Sequence, residues 1–376
     1  MTGAAESAQY FGMNTGKLGY GNMRLPRIDG KLDYETIYKM IDTFMEAGYS
    51  YFDTCHVYEA SEKAFGETLV PRYPRDSFVI NTKLSLLPIK KREDMQKQFE
   101  KSLERLNLDY VDFYFLHALN ADYIKKADEL DAWGFLRGLK EKGLARHIGF
   151  SFHDTPELLD DTLSKHPETE LILLQLNYLD WEDPKTQSRG LYETARKHNM
   201  PMTVMEPCKG GWLASEASES GKMLKAANPD VSVASWAFRF LAELDGIMAI
   251  LTGMGALSEV EDNVKTFKDF KPLTKEEHKL VKKAVEIINA TPSSPCTSCR
   301  YCVPQCPKEI DIPRALHIYN DYLIHKDPDS VRHLYYMMGL TVATPKECVQ
   351  CGACEKVCPQ HIEITEFMNT ILPLMG

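Results

Sequence analysis

Eight times within the first 290 residues, a short apolar run is followed by an amphipathic segment. The strand candidates are 17–21, 51–54, 78–83, 111–117, 147–152, 171–176, 202–206 and 247–252. The helix candidates are 33–47, 61–69, 92–106, 132–142, 156–164, 185–198, 231–243 and 258–267, and 274–290 reads as one helix more. Strand runs alternating with helical periodicity point to parallel strands joined by helical crossovers. Eight such units close into a (β/α)8 TIM barrel. The alternative is a doubly wound open sheet. That fold needs a Gly-rich strand-to-helix turn to take a dinucleotide, and no G-x-G-x-x-G stands in such a position.

A chain of 376 residues has room for a large domain and a small one. We place the barrel at 1–290 and a second domain at 291–376, with Thr291 to Pro295 as a stiff linker. The cysteines mark the second domain. Of ten, Cys55 and Cys208 stand alone, and the other eight fall in two runs. The first is Cys296, Cys299, Cys302 and Cys306 before Pro307; the second is Cys348, Cys351, Cys354 and Cys358 before Pro359. Clustered thiols in a reducing compartment read as metal ligands before they read as disulfides. Three cysteines at steps of three wrap a loop around one corner of a cube. Each run repeats the spacing of bacterial ferredoxins, whose fourth cysteine ligates the other cluster. That resemblance implies two 4Fe-4S clusters: one on Cys296, Cys299, Cys302 and Cys358, the other on Cys348, Cys351, Cys354 and Cys306. Zinc is the alternative, but zinc sites usually take two separated pairs of ligands. Between the runs, 314–325 and 330–338 read as helices, with Pro313 and Asp329 as start signals. The whole segment resembles an α-helical ferredoxin-like domain.

The net charge of −10 argues against a nucleic-acid binder. No apolar run is long enough to span a bilayer, and Met1 to Tyr10 carries no signal-peptide pattern. These features fit a cytoplasmic enzyme.

Barrel chemistry sits at the C-terminal ends of strands. Asp53, Lys83 and His117 end the second, third and fourth strand candidates, and Tyr58 follows Asp53 in the loop. Together they form an acid–base kit. Phenol is a weak acid, with a pKa of roughly 10. The Lys83 ammonium favours its phenolate, Asp53 would hold Lys83 charged, and His117 would hydrogen-bond a carbonyl oxygen. Gly48-Tyr-Ser-Tyr-Phe-Asp53-Thr-Cys-His-Val-Tyr58, Asn81-Thr-Lys83 and Asp112-Phe-Tyr-Phe-Leu-His117 resemble three motifs of the aldo-keto reductase superfamily. Gly19-Tyr-Gly-Asn-Met-Arg-Leu-Pro26 resembles its opening strand. The resemblance implies NAD(P)H-dependent interconversion of a small-molecule carbonyl and an alcohol, with Tyr58 as the acid. It also implies cofactor contacts from Ser151, Gln175, Gly253, Asp262 and Asn263. Three positions depart from the pattern. Phe152 replaces an amide-binding Asn, Glu259 replaces the arginine that meets a 2′-phosphate, and no aromatic residue follows strand seven until Trp212. Hydride chemistry and one-electron clusters are usually joined by a flavin, yet no flavin signature is present. The clusters would exchange electrons with a ferredoxin-like redox partner. The alternative function is an electron-transfer or regulatory subunit whose barrel only binds a nucleotide.

Of the remaining residues, His56 and His153 lie near the expected barrel mouth, and Cys55 reads as a small core residue. Cys208 lies at a strand end facing the expected nicotinamide position.

Overall fold

The computed structural model describes residues 10–58, 60–290 and 293–375. The chain packs as two compact units. Residues 1–9, read above for a signal peptide, and Thr291 and Pro292 of the expected linker lie outside the described residues.

The first unit is a closed barrel of eight parallel strands. They are β1 (Leu18–Gly21), β2 (Tyr51–Asp53), β3 (Val79–Ser85), β4 (Val111–Leu119), β5 (Ala145–Phe152), β6 (Leu171–Gln175), β7 (Met202–Met205) and β8 (Ile247–Gly253). Each pairs with its neighbour in sequence, and β1 pairs with both β2 and β8. The open-sheet alternative is excluded by this closure. The helices in chain order are α1 (Tyr34–Glu46), α2 (Ser61–Thr68), α3 (Arg92–Leu106), α4 (Ala121–Glu129), α5 (Ala132–Glu141), α6 (Pro156–Lys165), α7 (Ser188–Lys197), α8 (Glu219–Ala227), α9 (Val233–Ala242), α10 (Leu257–Lys268), α11 (Lys275–Asn289), α12 (Ile312–His325), α13 (Pro328–Gly339) and α14 (Ile364–Ile371).

Because side chains alternate in and out along a strand, residues two or four apart share the barrel interior. Tyr51, Val79, Phe113, Phe115, Leu171 and Leu173 meet in one buried cluster. Two or four residues further along the same faces stand Asp53, Asn81, Lys83, His117 and Gln175. Phe11 closes the apolar end, with its ring centroid 5.4 Å from that of Phe113. Gly149 has a packing reason. A Cβ there would lie 1.9 Å from the Leu171 carbonyl oxygen, so only glycine lets β5 approach β6 so closely.

Several expectations are corrected. Lys83 and His117 do not end their strands; β3 and β4 each run two residues further. The continuation is buried, and Leu84 and Ser85 pair with Leu116 and His117. Beyond His117 the β4–β5 register shifts, and Ala118 adopts a left-handed φ of 57°. Such a bulge re-aims the side chains beside it. Helices α4, α8 and α14 were not anticipated. In α4 only Ala127 is buried, so the apolar stripe is too thin to read, and the helix depends on its Asn120 cap. Trp236 is fully buried and Trp133 stacks on His166 at 3.7 Å, so both are packing residues.

The second unit comprises Pro184–Thr186, Cys208–Ala234 and Lys275–Gly376. Helix α11 packs on α8, and α12 packs on α13 and α14. Ile312, Leu316, Tyr335, Met338, Ile364 and Ile371 form its core together with buried cysteines. The buried Tyr335 hydroxyl donates to the Ala315 carbonyl at 2.9 Å. Ser294 exchanges two 2.8 Å hydrogen bonds with the Asn320 side chain, which pins the described end of the linker to α12. Pro313 and Asp329 stand in the first turns of α12 and α13, and the caps are Asp311 and Asp327. Those two carboxylates accept the first free backbone N–H groups.

Candidate active site and cluster-binding site

Asp53 and Lys83 form the centre of the barrel's polar end. Lys83 is fully buried. Its Nζ donates to Asp53 Oδ1 at 2.6 Å and to the Thr54 carbonyl at 2.7 Å. Asn81 Nδ2 donates to the other Asp53 oxygen at 3.0 Å. Burial raises the Asp53 carboxyl, and the Lys83 ammonium and Asn81 amide oppose that rise. Tyr58 reaches the pair from the loop after β2, with its ring centroid 5.4 Å from Lys83 Nζ. The Tyr58 and His117 rings meet edge to face at 5.8 Å. All four expected residues therefore converge.

The loop carrying Tyr58 is braced from both sides. On one side, Asn22 N–H donates to the Asp53 carbonyl and Asn22 Nδ2 to the Ser61 carbonyl, both at 2.9 Å, while the Thr54 and Ser61 hydroxyls share a hydrogen bond. On the other, the buried Glu62 accepts from Thr82 Oγ1 at 2.7 Å and from Arg105 at 3.2 Å. Arg105 also donates to the His56 carbonyl, and His56 Nδ1 lies 3.2 Å from Ser102 Oγ. The His56 ring is thus bound into the α2–α3 packing. Sequence reasoning missed this brace because its members lie about one helix apart and share no motif.

Cys55 is core, as expected, but it also touches the site. Its Sγ lies 3.5 Å from His117 Nδ1. If the thiol donates, Nδ1 is the acceptor and Nε2 carries the ring proton. Burial, then Lys83 and His153, hold the His117 pKa well below the ordinary histidine value. Burial lowers that of His56 as well. The sign of the pH effect follows. Below about pH 6.5 the unfolded chain protonates these rings and the folded chain does not. Stability is therefore full above that pH and falls as the solution is acidified through it. The thermal midpoint should hold level above pH 7, drop between pH 7 and 5.5, and drop less in His117→Asn. A level midpoint across that window would contradict the assignment.

The expected nicotinamide residues are placed as follows. Ser151 on β5 and Gln175 on β6 are both buried on neighbouring strands. Gly253 ends β8, and Asp262 and Asn263 lie on α10. Ser151 Oγ accepts from Ala118 N–H at 2.7 Å, so it fastens the bulge beside His117. Gln175 Nε2 donates to the buried Asp180, which also accepts from Asn177 Nδ2, each at 2.7 Å. Asp180 and Asn177 were missed; the signal available was their spacing, Gln175-x-Asn177-x-x-Asp180. Glu259 Oε2 accepts from Gly255 N–H at 2.7 Å, placing a carboxylate in the loop after β8.

In the second unit thiols of the two runs stand near one another. Burial raises the Cys302 thiol, and Cys299 and Cys296 of its own run and Cys358 and Cys354 of the other raise it further. Cys354 is pushed up to about 11 by burial, then by Glu355, with Cys306 and Cys348 adding to the rise. Cys306, Cys348, Cys351 and Cys354 line one open pocket, walled by Ile310, Ile312, Ile364 and Met368. Four thiols set this close against apolar walls suit a bound metal centre, which takes up their thiolate charge. Among the described residues no three His, Cys, Asp or Glu side chains converge as the ligands of one ion would.

Fold and site together define a (β/α)8 barrel with a buried acid–base group at its polar end, in a chain that also carries a cysteine-rich second unit. Residues 17–286 match the Aldo/keto reductase family, and residues 295–363 match the 4Fe-4S dicluster domain. The chain belongs to the aldo/keto reductase family. It is 27% identical over 213 residues to the aldo-keto reductase str7 of Strobilurus tenacellus, covering 53% of this chain and 60% of that protein. It is 29% identical over 239 residues to the methylglyoxal reductase DkgA of Yersinia pestis, covering 62% and 78%. Its fold matches the holo form of the aldo-keto reductase AKR11C1 from Bacillus halodurans with a TM-score of 0.58. The identity is 23%, and the match covers 72% of this chain and 93% of that one. It also matches an aldo/keto reductase from Klebsiella pneumoniae in complex with NADP and acetate, with a TM-score of 0.57 and 19% identity, covering 71% and 90%. Among the described residues no helix is long and apolar enough to cross a membrane.

Proposed function

We propose that the barrel interconverts a small-molecule carbonyl and an alcohol, with Tyr58 as the proton donor. The observation that carries this reading is the buried Asp53–Lys83 pair, 2.6 Å apart, with Tyr58 and His117 gathered over it. The Lys83 ammonium stabilises the phenolate left when Tyr58 gives up its proton, and Asp53 orients Lys83. His117, neutral and buried, donates a ring N–H to the carbonyl oxygen. Ser151, Gln175, Gly253, Asp262 and Asn263 would hold a nicotinamide cofactor, which when bound supplies the hydride. The name of the Yersinia pestis relative, a methylglyoxal reductase, supports carbonyl reduction. Glu259 puts a negative charge where a 2′-phosphate would come, so NADH is expected to serve at least as well as NADPH.

For the second domain, proposed at 291–376 beside a barrel domain at 1–290, the eight cysteines are read as ligands of two 4Fe-4S clusters. One would sit on Cys296, Cys299, Cys302 and Cys358 and the other on Cys348, Cys351, Cys354 and Cys306. Each bound cluster takes up or releases one electron. Cys351 is exposed, which marks the second group as the place where a ferredoxin-like partner would exchange electrons. Crossed ligation makes a pairing prediction. Cys302→Ser and Cys358→Ser should leave the same residual electron paramagnetic resonance (EPR) spectrum, and Cys354→Ser and Cys306→Ser the other one. Pairing by sequence run instead would refute the crossing.

The test of the function is single-turnover oxidation of NADH and NADPH by anaerobically purified protein, with a panel of aldehydes and ketones. Hydride transfer to at least one carbonyl is expected. If no carbonyl is reduced while a redox partner rapidly reduces the iron–sulfur unit, the electron-transfer or regulatory subunit becomes the better reading.

A further inference from the structure

Lys209 is 4% exposed. Lysine is almost never fully buried unless something compensates its charge. Its Nζ donates to Gln360 Oε1 at 3.1 Å. Gln360 is itself buried and lies two residues beyond Cys358.

The backbone holds this lysine in place at some conformational cost. Lys209, Gly210 and Gly211 are three successive left-handed residues, with φ of 43°, 66° and 100°. A non-glycine residue is uncommon in that region. A Cβ on Gly210 would lie 2.7 Å from Thr297 Cα, so the turn lies flat on the loop between Cys296 and Cys299. The same turn thus touches the cysteine loop of the first run through Thr297 and the end of the second run through Gln360. Those two segments supply all four thiols of one group, Cys296, Cys299, Cys302 and Cys358.

We propose that the turn at Lys209 sets the reduction potential of the cluster on Cys296, Cys299, Cys302 and Cys358, with the buried ammonium raising it. The proposal rests on the reading that these cysteines hold a cluster. Four thiolates make such a centre anionic, and one added electron makes it more so. A fixed positive charge in a low-dielectric setting favours the more negative form. The Cys306, Cys348, Cys351 and Cys354 group has no part in this turn and should be unaffected.

The test is EPR-monitored dithionite titration of full-length wild type, Lys209→Gln and Lys209→Arg, with iron and sulfide assayed on each. In Lys209→Gln one couple should move to a more negative potential while the other stays put and iron content is unchanged. Lys209→Arg keeps the charge and should titrate close to wild type. Lys209→Met serves as a second neutral variant if Lys209→Gln does not fold. The proposal is overturned if both couples keep their wild-type potentials in a neutral variant. It is equally overturned if both couples move alike, or if the neutral variants lose iron, which would make Lys209 a structural brace. Wild-type protein with fewer than two clusters would instead sink the underlying reading of the cysteines.

Discussion

Tyr58→Phe should lower single-turnover hydride transfer to a carbonyl by roughly 10²–10⁴-fold, the usual contribution of a positioned general acid. The iron–sulfur absorption should not change. The substitution removes one oxygen and leaves the ring that packs on His117 and faces Lys83. The braces around the loop, Asn22, Ser61, Glu62 and Arg105, involve none of the atoms lost. A loss of turnover therefore reports proton transfer and not a moved loop. Turnover close to wild type would remove Tyr58 from the role of acid.

Lys83→Met should cost both stability and turnover. Lys83 is fully buried and donates to Asp53 and to the Thr54 carbonyl, so its removal strands a buried carboxylate. Breaking a buried ion pair from one side typically costs about 3–5 kcal/mol. Asp53→Asn in the same protein removes the stranded charge, so the double variant should recover much of the stability. It should not recover turnover, because the phenolate of Tyr58 still lacks its ammonium. Denaturation midpoints and single-turnover rates on the three variants separate the two effects. If the double variant is as unstable as Lys83→Met, charge burial is not the cause.

The eight strand–helix alternations were legible because each strand is a short apolar run and each long helix carries a stripe at period 3.6. A helix with a single buried residue was not, as α4 illustrates. The Asp53, Tyr58, Lys83 and His117 positions were legible because each sits in a short local motif. Their supports were not. Cys55 and His117 are 62 residues apart in the chain, and Glu62 and Arg105 are 43 apart. Ser151 shows the same gap from the other side. A motif match marked it as a cofactor contact, and only the fold shows that its hydroxyl also accepts a hydrogen bond from the left-handed Ala118.

The eightfold alternation with which the chain begins was enough to fix the architecture, because periodicity is a local property that survives without neighbours. Cysteine spacing was enough to propose the kind of metal centre, because three ligands of each group lie within one short loop. Which thiols stand together, which way β4 turns after His117, and which charge lies beside Cys358 depended on contacts between distant segments. Lys209 reads in the sequence as an ordinary lysine before two glycines. Only packing turns it into a buried ammonium, because burial and local dielectric belong to the surroundings of a side chain and not to its place in the chain.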